Sequence, residues 1–328
     1  MYRVRPDGSA FSTVHAFNGS DGAYPSAGVI LAPDGFLYGT TNDNGANGFG
    51  TVFRVRPDGS AFSTLYAFSG SDGAWPNAGV ILAPDGFLYG TTEGDGASDY
   101  GTVYRVRPDG SAFSTFHAFS SSDGARPTAG VILAPDGFLY GTTLGGGVAN
   151  SGTVYRVRPD GSAFSTLHVF SFGDRAHPSA GVLLAPDGFL YGTTVGDGRS
   201  GYGTVYRVRP DGTAFSTLHA FSGGDGARPE AGVIMALDGS LFGTTRGSSE
   251  GGLVDPLGTV YRLVFAPGDR NHDGLTDCGD RTMIKQALGK RTGQPGFNSL
   301  ADTNGDGVIN VRDLAFVARQ LPAGTVCP

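Results

Sequence analysis

The sequence is poor in several things, and each shortage excludes something. Only 16% of its 328 residues are charged, both lysines (Lys285 and Lys290) lie near the C-terminal end, and the formal net charge is −7. That balance gives no support to nucleic-acid binding, although pairs of arginine recur along the chain. Cysteine occurs twice, at Cys278 and Cys327, too seldom for a zinc site on its own. No apolar run has the ~20 residues needed to cross a bilayer as a helix, and no leader-like segment follows Met1. Nucleophile elbow, phosphate loop and zinc motif are all missing, so no catalytic residue is assigned. His15, His117, His168 and His219 recur with a fixed period, with Tyr66 in place of one, which is strand-face behaviour and no triad.

What is abundant is glycine, 56 residues, and self-similarity. The tetrapeptide Arg-Val-Arg-Pro begins at Arg3, Arg54, Arg105, Arg156 and Arg207, a spacing of 51 residues each time. Each repeat divides into four β-type segments. In the third copy, Thr102–Arg107 is rich in β-branched and aromatic residues, Ala112–Phe119 alternates with period 2, Ala129–Ala134 is almost wholly apolar, and Phe138–Thr143 closes the unit. Two Pro-Asp-Gly turns per repeat suit tight hairpins: proline presets φ and glycine accepts the positive φ. Four antiparallel strands at this period, without helical pattern between them, predict a mainly β fold, a five-bladed β-propeller over residues 1–266. The most apolar segment belongs at the hub, so hub strands are expected to start near Ala27, Ala78, Ala129, Ala180 and Ala231. Ala10–Phe17 is expected to supply the outer strand that the last blade lacks after Gly258–Phe265, closing the ring.

Residues 267–328 read differently. Asp269, Asn271, Asp273, Leu275, Asp277 and Asp280 have the spacing of a calcium loop, with side-chain oxygens at positions 1, 3, 5, 9 and 12, a backbone carbonyl at 7 and Gly274 at the sharp turn. Asp302, Asn304, Asp306, Val308, Asn310 and Asp313 repeat the pattern 33 residues later. Two calcium ions are therefore expected. Each loop runs into a short amphipathic helix, marked by Met283, Ile284, Ala287 and Leu288 and by Leu314, Val317, Ala318 and Leu321. Cys278 and Cys327 bracket this small α-type module and are expected to form a disulfide, worth roughly 4 kcal/mol for a loop of about 50 residues.

These residues carry two resemblances. The duplicated loop-plus-helix resembles a type I dockerin, a family that folds on calcium and docks to a cohesin, often tethering carbohydrate-active enzymes. At the docking positions the chain departs from that family, with Cys278-Gly279 and Val311-Arg312 where a small hydroxyl pair is common. The repeat, with Gly-Thr-Val-Tyr-Arg-Val-x-Pro-Asp-Gly and Leu-Tyr-Gly-Thr-Thr, resembles the GloVer tandem-repeat family of bacterial surface proteins. The resemblances imply an extracellular or cell-surface location, a parent chain with a leader ahead of Met1, and a cohesin-like protein or the cell surface as partner of the C-terminal module.

Because the repeats are near copies, their differences mark where function can differ. The residue before a recurring proline is Tyr24, Trp75, Arg126, His177 and Arg228 in turn, and the loops 42–49, 93–100, 144–151, 195–202 and 246–257 also vary. Both sets are expected on one face, opposite the Pro-Asp-Gly turns, as a face that binds a glycan or a protein. Asp21, Asp72, Asp123, Asp174 and Asp225 recur with the period and read as turn caps. The leading reading is a non-catalytic surface or adhesion protein. The alternative is a component of extracellular polysaccharide breakdown, a glycoside hydrolase or lyase within a cohesin–dockerin assembly.

Overall fold

The computed structural model describes residues 1–171, 176–196, 201–247, 257–266, 268–272, 275–322 and 325–327. The repeats form mainly β structure, a row of antiparallel sheets of four strands in a propeller-like arrangement. In the third sheet Ile132–Leu133, Leu139–Thr143, Thr153–Val157 and Ser165–Val169 lie side by side in that order. The first, second and fourth sheets repeat this order at the repeat spacing. The apolar segment expected at the hub lies at one edge of each sheet, but it pairs over two residues only. It is half-buried rather than covered on both faces.

The two ends differ from the sheets between them. Among the described residues the fifth sheet has three strands, Ile234–Met235, Leu241–Thr245 and Thr259–Leu263. Ala10–Phe17 does not complete it: Ser12–Thr13 pairs with Tyr2–Arg3 in a separate two-stranded ribbon. The expected ring closure is corrected here, and the reason is local. Met1–Val4 already carries a copy of the third strand beside its natural neighbour. Val14 and Phe17 of the ribbon pack on Phe53, Val55 and Phe62 of the first sheet.

Successive sheets pack face to face, and the apolar clusters lie at the seams. Tyr38, Val52 and Phe68 of one sheet meet Leu88, Tyr104 and Val106 of the next, and the pattern recurs at three further seams. Fully burying each such side chain stabilises by roughly 1.5–3 kcal/mol. The strand glycine within Leu-Tyr-Gly-Thr-Thr exists for its cross-strand partner. Gly141 lies opposite Tyr155, and a Cβ there would come 2.5 Å from the phenol oxygen and 2.6 Å from Cζ of that buried ring. At the hub, Gly130 approaches the backbone of Gly79, so a Cβ would meet the Gly79 carbonyl at 3.2 Å.

Polar bonds cross the same seams. Thr142 Oγ1 donates to the Ala180 carbonyl at 2.9 Å, and Arg105 donates to the Pro159 carbonyl at 3.1 Å. The arginine pairs sandwich phenylalanine: Arg156 and Arg158 both lie over Phe138. The periodic histidines stack on the following repeat, His117 on Phe164 at 3.8 Å and His168 on Phe215 at 3.5 Å. Of the periodic aspartates, Asp21, Asp72, Asp123 and Asp225 accept backbone N–H groups in their turns, while Asp174 lies outside the described residues.

Beyond the sheets come two loop–helix units, with helices Cys278–Gln286 and Val311–Gln320. Both begin in a capping box, from Asp277 with Asp280 and from Asn310 with Asp313. Ile284, Ala287, Ala301, Ile309 and Val317 form their shared core. Cys278 and Cys327 form a disulfide with Cα atoms 5.3 Å apart.

Two outcomes follow from this packing. Gly141→Ala should destabilise the chain by about 1–3 kcal/mol, because the added methyl group must displace a buried ring; urea denaturation measures it. The turn aspartates also hold phenols: Tyr140 Oη donates to Asp136 at 2.6 Å. Burial first, and then that carboxylate, push the Tyr140 phenol up to about 12. A folded-state value above the unfolded value of ~10 gives a stabilisation complete below that pH and lost as pH climbs through 12. Thermal melts from pH 9 to pH 12 should therefore fall less steeply for Tyr140→Phe than for the parent chain.

Candidate functional site

The two sets of variable residues face each other. Isolated bridges join Ala74 to Gly94 and Ala125 to Gly145, so the segment before each hub strand pairs with the loop between the second and third strands. The variable residue is held at a seam by its backbone. Arg126 N donates to Tyr100 O of the preceding repeat at 2.9 Å, and Leu144 N donates to Arg126 O at 2.9 Å. Trp75 is bonded in the same way to Phe49 and Glu93, and Arg228 to Tyr202 and Arg246. The Pro-Asp-Gly turns lie at the opposite strand ends.

This anchoring has a conformational cost. Tyr24, Trp75, Arg126 and Arg228 all sit in the left-handed region, with φ of 53°, 58°, 57° and 56°. Non-glycine residues rarely adopt it; Trp75, Arg126 and Arg228 are held there by one backbone bond across the seam and one within their own repeat, and Tyr24 by the bond from Asn42 N. Tyr24 is exposed at 71%, and Trp75 is 42% exposed with its ring over Gly94.

The five residues are not gathered at one point; each stands at its own seam. Arg126 and His177 do line one common cleft of about 530 Å³, with Asp99, Tyr100, Ala125, Leu144, Gly145, Asn150 and Val195. Arg126 reaches back to Glu93 with Nε at 2.9 Å and a second guanidinium nitrogen. The other Glu93 oxygen accepts from Asn77, and Asn77 accepts from Asn42. A polar chain thus crosses from the first repeat to the third. His177 Nδ1 lies 2.9 Å from the Leu144 carbonyl. A carbonyl only accepts, so Nδ1 carries a proton, and Nε2 is the ring atom left for a partner in the cleft. Asn150 Oδ1 accepts from Gly146 N at 2.9 Å, so its oxygen is used within the loop. Asp99, Tyr100, Asn150 and Glu93 lie in the variable loops but carry no motif of their own. Their grouping is visible only once neighbouring repeats are set side by side. The loops 195–202 and 246–257 fall partly outside the described residues.

At the C-terminal end the two loops share one scaffold. Position 12 of each is a fully buried carboxylate. Asp280 accepts from Arg270 N and Asp277 N, and Asp313 accepts from Thr303 N and Asn310 N. In the second loop Asp302 accepts from Gly307 N at 2.8 Å, Asn304 from Asp306 N at 2.9 Å and Asp306 from Val308 N at 2.9 Å. Asp269 is buried in the first loop, and Asp273 lies outside the described residues. Among the described residues no group of three or more His, Cys, Asp or Glu side chains gathers at metal distance.

His272, within the first loop, was not marked by any sequence signal. It is 3% exposed, stacks on Phe265 at 3.7 Å, and lies 3.1 Å from Asp187 Oδ2 and 3.3 Å from Tyr191 Oη. Asn298 donates to the Pro186 carbonyl beside it. The loop–helix units therefore rest on the turn side of the fourth and fifth sheets.

The Gloeobacter/Verrucomicrobia repeat matches residues 1–174 and again 129–305. The chain belongs to that family. No curated protein matches the sequence. Among solved structures, a chain of a nidogen–laminin complex is 15% identical at TM-score 0.46, covering 66% of this chain and 71% of that one. A gluconolactonase from Xanthomonas campestris is 19% identical at TM-score 0.43, covering 69% and 71%. TolB from Acinetobacter baumannii is 14% identical at TM-score 0.41, covering 65% and 46%. At these scores none of them transfers an activity to this member of the repeat family.

Proposed function

We propose that this repeat protein is a non-catalytic glycan-binding protein of the bacterial cell surface, with five propeller blades over residues 1–266 and a calcium-dependent, dockerin-like attachment module over 267–328. The cleft between Arg126 and His177 carries the first half of that reading. A sugar needs an apolar platform and directional hydrogen-bond partners. Here Tyr100, Ala125, Leu144 and Val195 supply the first, and His177 Nε2, Asn150 and Asp99 the second. The Arg126 charge is paired with Glu93, so the cleft favours a neutral polyhydroxylated ligand over an anion. The disulfide between Cys278 and Cys327 suits an oxidising location outside the cytoplasm.

For the module, the donor set fits a hard cation. Asp302, Asn304, Asp306, the Val308 carbonyl, Asn310 and Asp313 offer oxygen alone, and Asp269, Asn271, Asp273, the Leu275 carbonyl, Asp277 and Asp280 match them. Calcium there would supply the positive charge that two buried carboxylates at position 12 call for. A cohesin-like protein or another surface component is the partner such a module would hold.

Two measurements check these halves separately. On a glycan array the full chain should bind at least one neutral glycan, and Tyr100→Ala or His177→Ala should weaken that binding about tenfold or more, equivalent to ~1.4 kcal/mol. No bound glycan, or turnover of the bound one in a hydrolysis assay, would refute the binding reading. Calcium titration by calorimetry should give two ions per chain, and Asp302→Ala together with Asp306→Ala should leave one. A thermal midpoint indifferent to calcium and EGTA counts against the module.

A further inference from the structure

The fifth sheet exposes what every other sheet buries. Val52, Val103, Val154 and Val205 are fully covered by the next repeat, whereas their equivalent Val260 is 80% exposed. Ile30, Ile81, Ile132 and Leu183 all pack into seams, whereas Ile234 is 68% exposed. At the other end Leu31 is 65% exposed, although its equivalents Leu82, Leu133 and Leu184 pack against the preceding sheet. The two faces are the two halves of one seam. Among the described residues no strand pairs with the outer edge of Thr259–Leu263 either, an edge that natural sheets otherwise cover or charge.

We infer that these surfaces meet between two copies of the chain, residues 10–17 of one copy adding as fourth strand to the fifth sheet of the other. Thr259–Leu263 has the sequence of the third strands that accept such a neighbour elsewhere, and Ala10–Phe17 nearly repeats Ala214–Phe221. The third sheet supplies the register, pairing Val154 with His168, Tyr155 with Thr166 and Arg156 with Ser165. Transferred, it sets Val260 opposite His15, Tyr261 opposite Thr13 and Arg262 opposite Ser12 of the second copy. Ser12–Thr13 must give up its two-residue pairing with Tyr2–Arg3, and it gains the longer pairing that the complete sheets have.

A separate feature agrees. His15, Tyr66, His117 and His168 each stack on a phenylalanine of the next repeat. His219 has no such ring on it among the described residues, since with Val260 equivalent to Val205 the place of Phe215 falls on Arg270. Phe11, the phenylalanine that this seam would bring to it, is 65% exposed in the ribbon. One docking event covers Val260, Ile234, Leu31 and Phe11 together. The contact joins unlike surfaces, so it propagates head to tail into rings or filaments.

Disulfide trapping tests this, because the two native cysteines are already bonded to each other. Ser12→Cys and Arg262→Cys are prepared in separate chains, mixed in equal amounts and oxidised. The expected result is a mixed disulfide dimer, several-fold above either chain oxidised alone and lost when Val260→Glu is added. Sedimentation of the unmodified chain should show an apparent mass that rises at least about twofold with concentration, as a head-to-tail contact requires. Absence of the mixed dimer, or a chain carrying both cysteines that closes on itself as a monomer, overturns the inference.

Discussion

Each sheet of this protein has two apolar faces and cannot bury either alone, and this constraint governs the rest of the structure. A single repeat of this kind exposes a valine, an isoleucine and a tyrosine on one side and a leucine, a tyrosine and a phenylalanine on the other. Burial comes only from a neighbour of the same shape. The neighbour then imposes close tolerances. Glycine faces the cross-strand ring, threonine reaches the next hub carbonyl, and arginine reaches the next turn while lying on phenylalanine. The glycine and threonine contacts recur at each seam because the sequence recurs, and the arginine bond to the next turn recurs at all but the last. They also explain why the Pro-Asp-Gly side hardly varies.

The opposite side is freer. There the backbone bonds across the seams use main-chain atoms, so they survive the change from Trp75 to Arg126. Side chains on that face can be altered without altering the packing beneath. The cleft between the third and fourth repeats arises in this way: a common scaffold, with Tyr100, Arg126, Asn150 and His177 placed on it by two neighbouring repeats. The ion pair from Arg126 to Glu93 is largely solvated on the arginine side, with 59% of that side chain exposed, so it orients more than it stabilises.

The C-terminal units use the invariant side instead. In the first three sheets the turn aspartate takes a tyrosine hydroxyl, as in Asp34 with Tyr38, Asp85 with Tyr89 and Asp136 with Tyr140. In the fourth the same pair also takes His272. Leu237-Asp238-Gly239, the one turn without proline, lies beside it, and a Cβ on Gly239 would meet Leu300 and His272. The departure from the repeat's own turn chemistry therefore falls where the tail rests.

Period, turn chemistry and strand order were legible in the sequence, because hairpin turns and alternation are local and five copies expose the pattern. So were the helices after each loop and the pairing of Cys278 with Cys327, which follow from capping residues and from having two cysteines in all. The spacing of the carboxylates and amides in the two loops was equally plain, since it depends on neighbours a few residues apart. What the sequence could not decide was every question about distant partners. Whether Ala10–Phe17 joins Thr259–Leu263 depends on the accumulated angle over all the seams, and in the fold it pairs with Tyr2–Arg3. The cleft joins residues of different repeats, and His272 meets Asp187 across 85 positions. Local chemistry writes the strand and the turn; only the stacking of one sheet on another brings such residues to the same place.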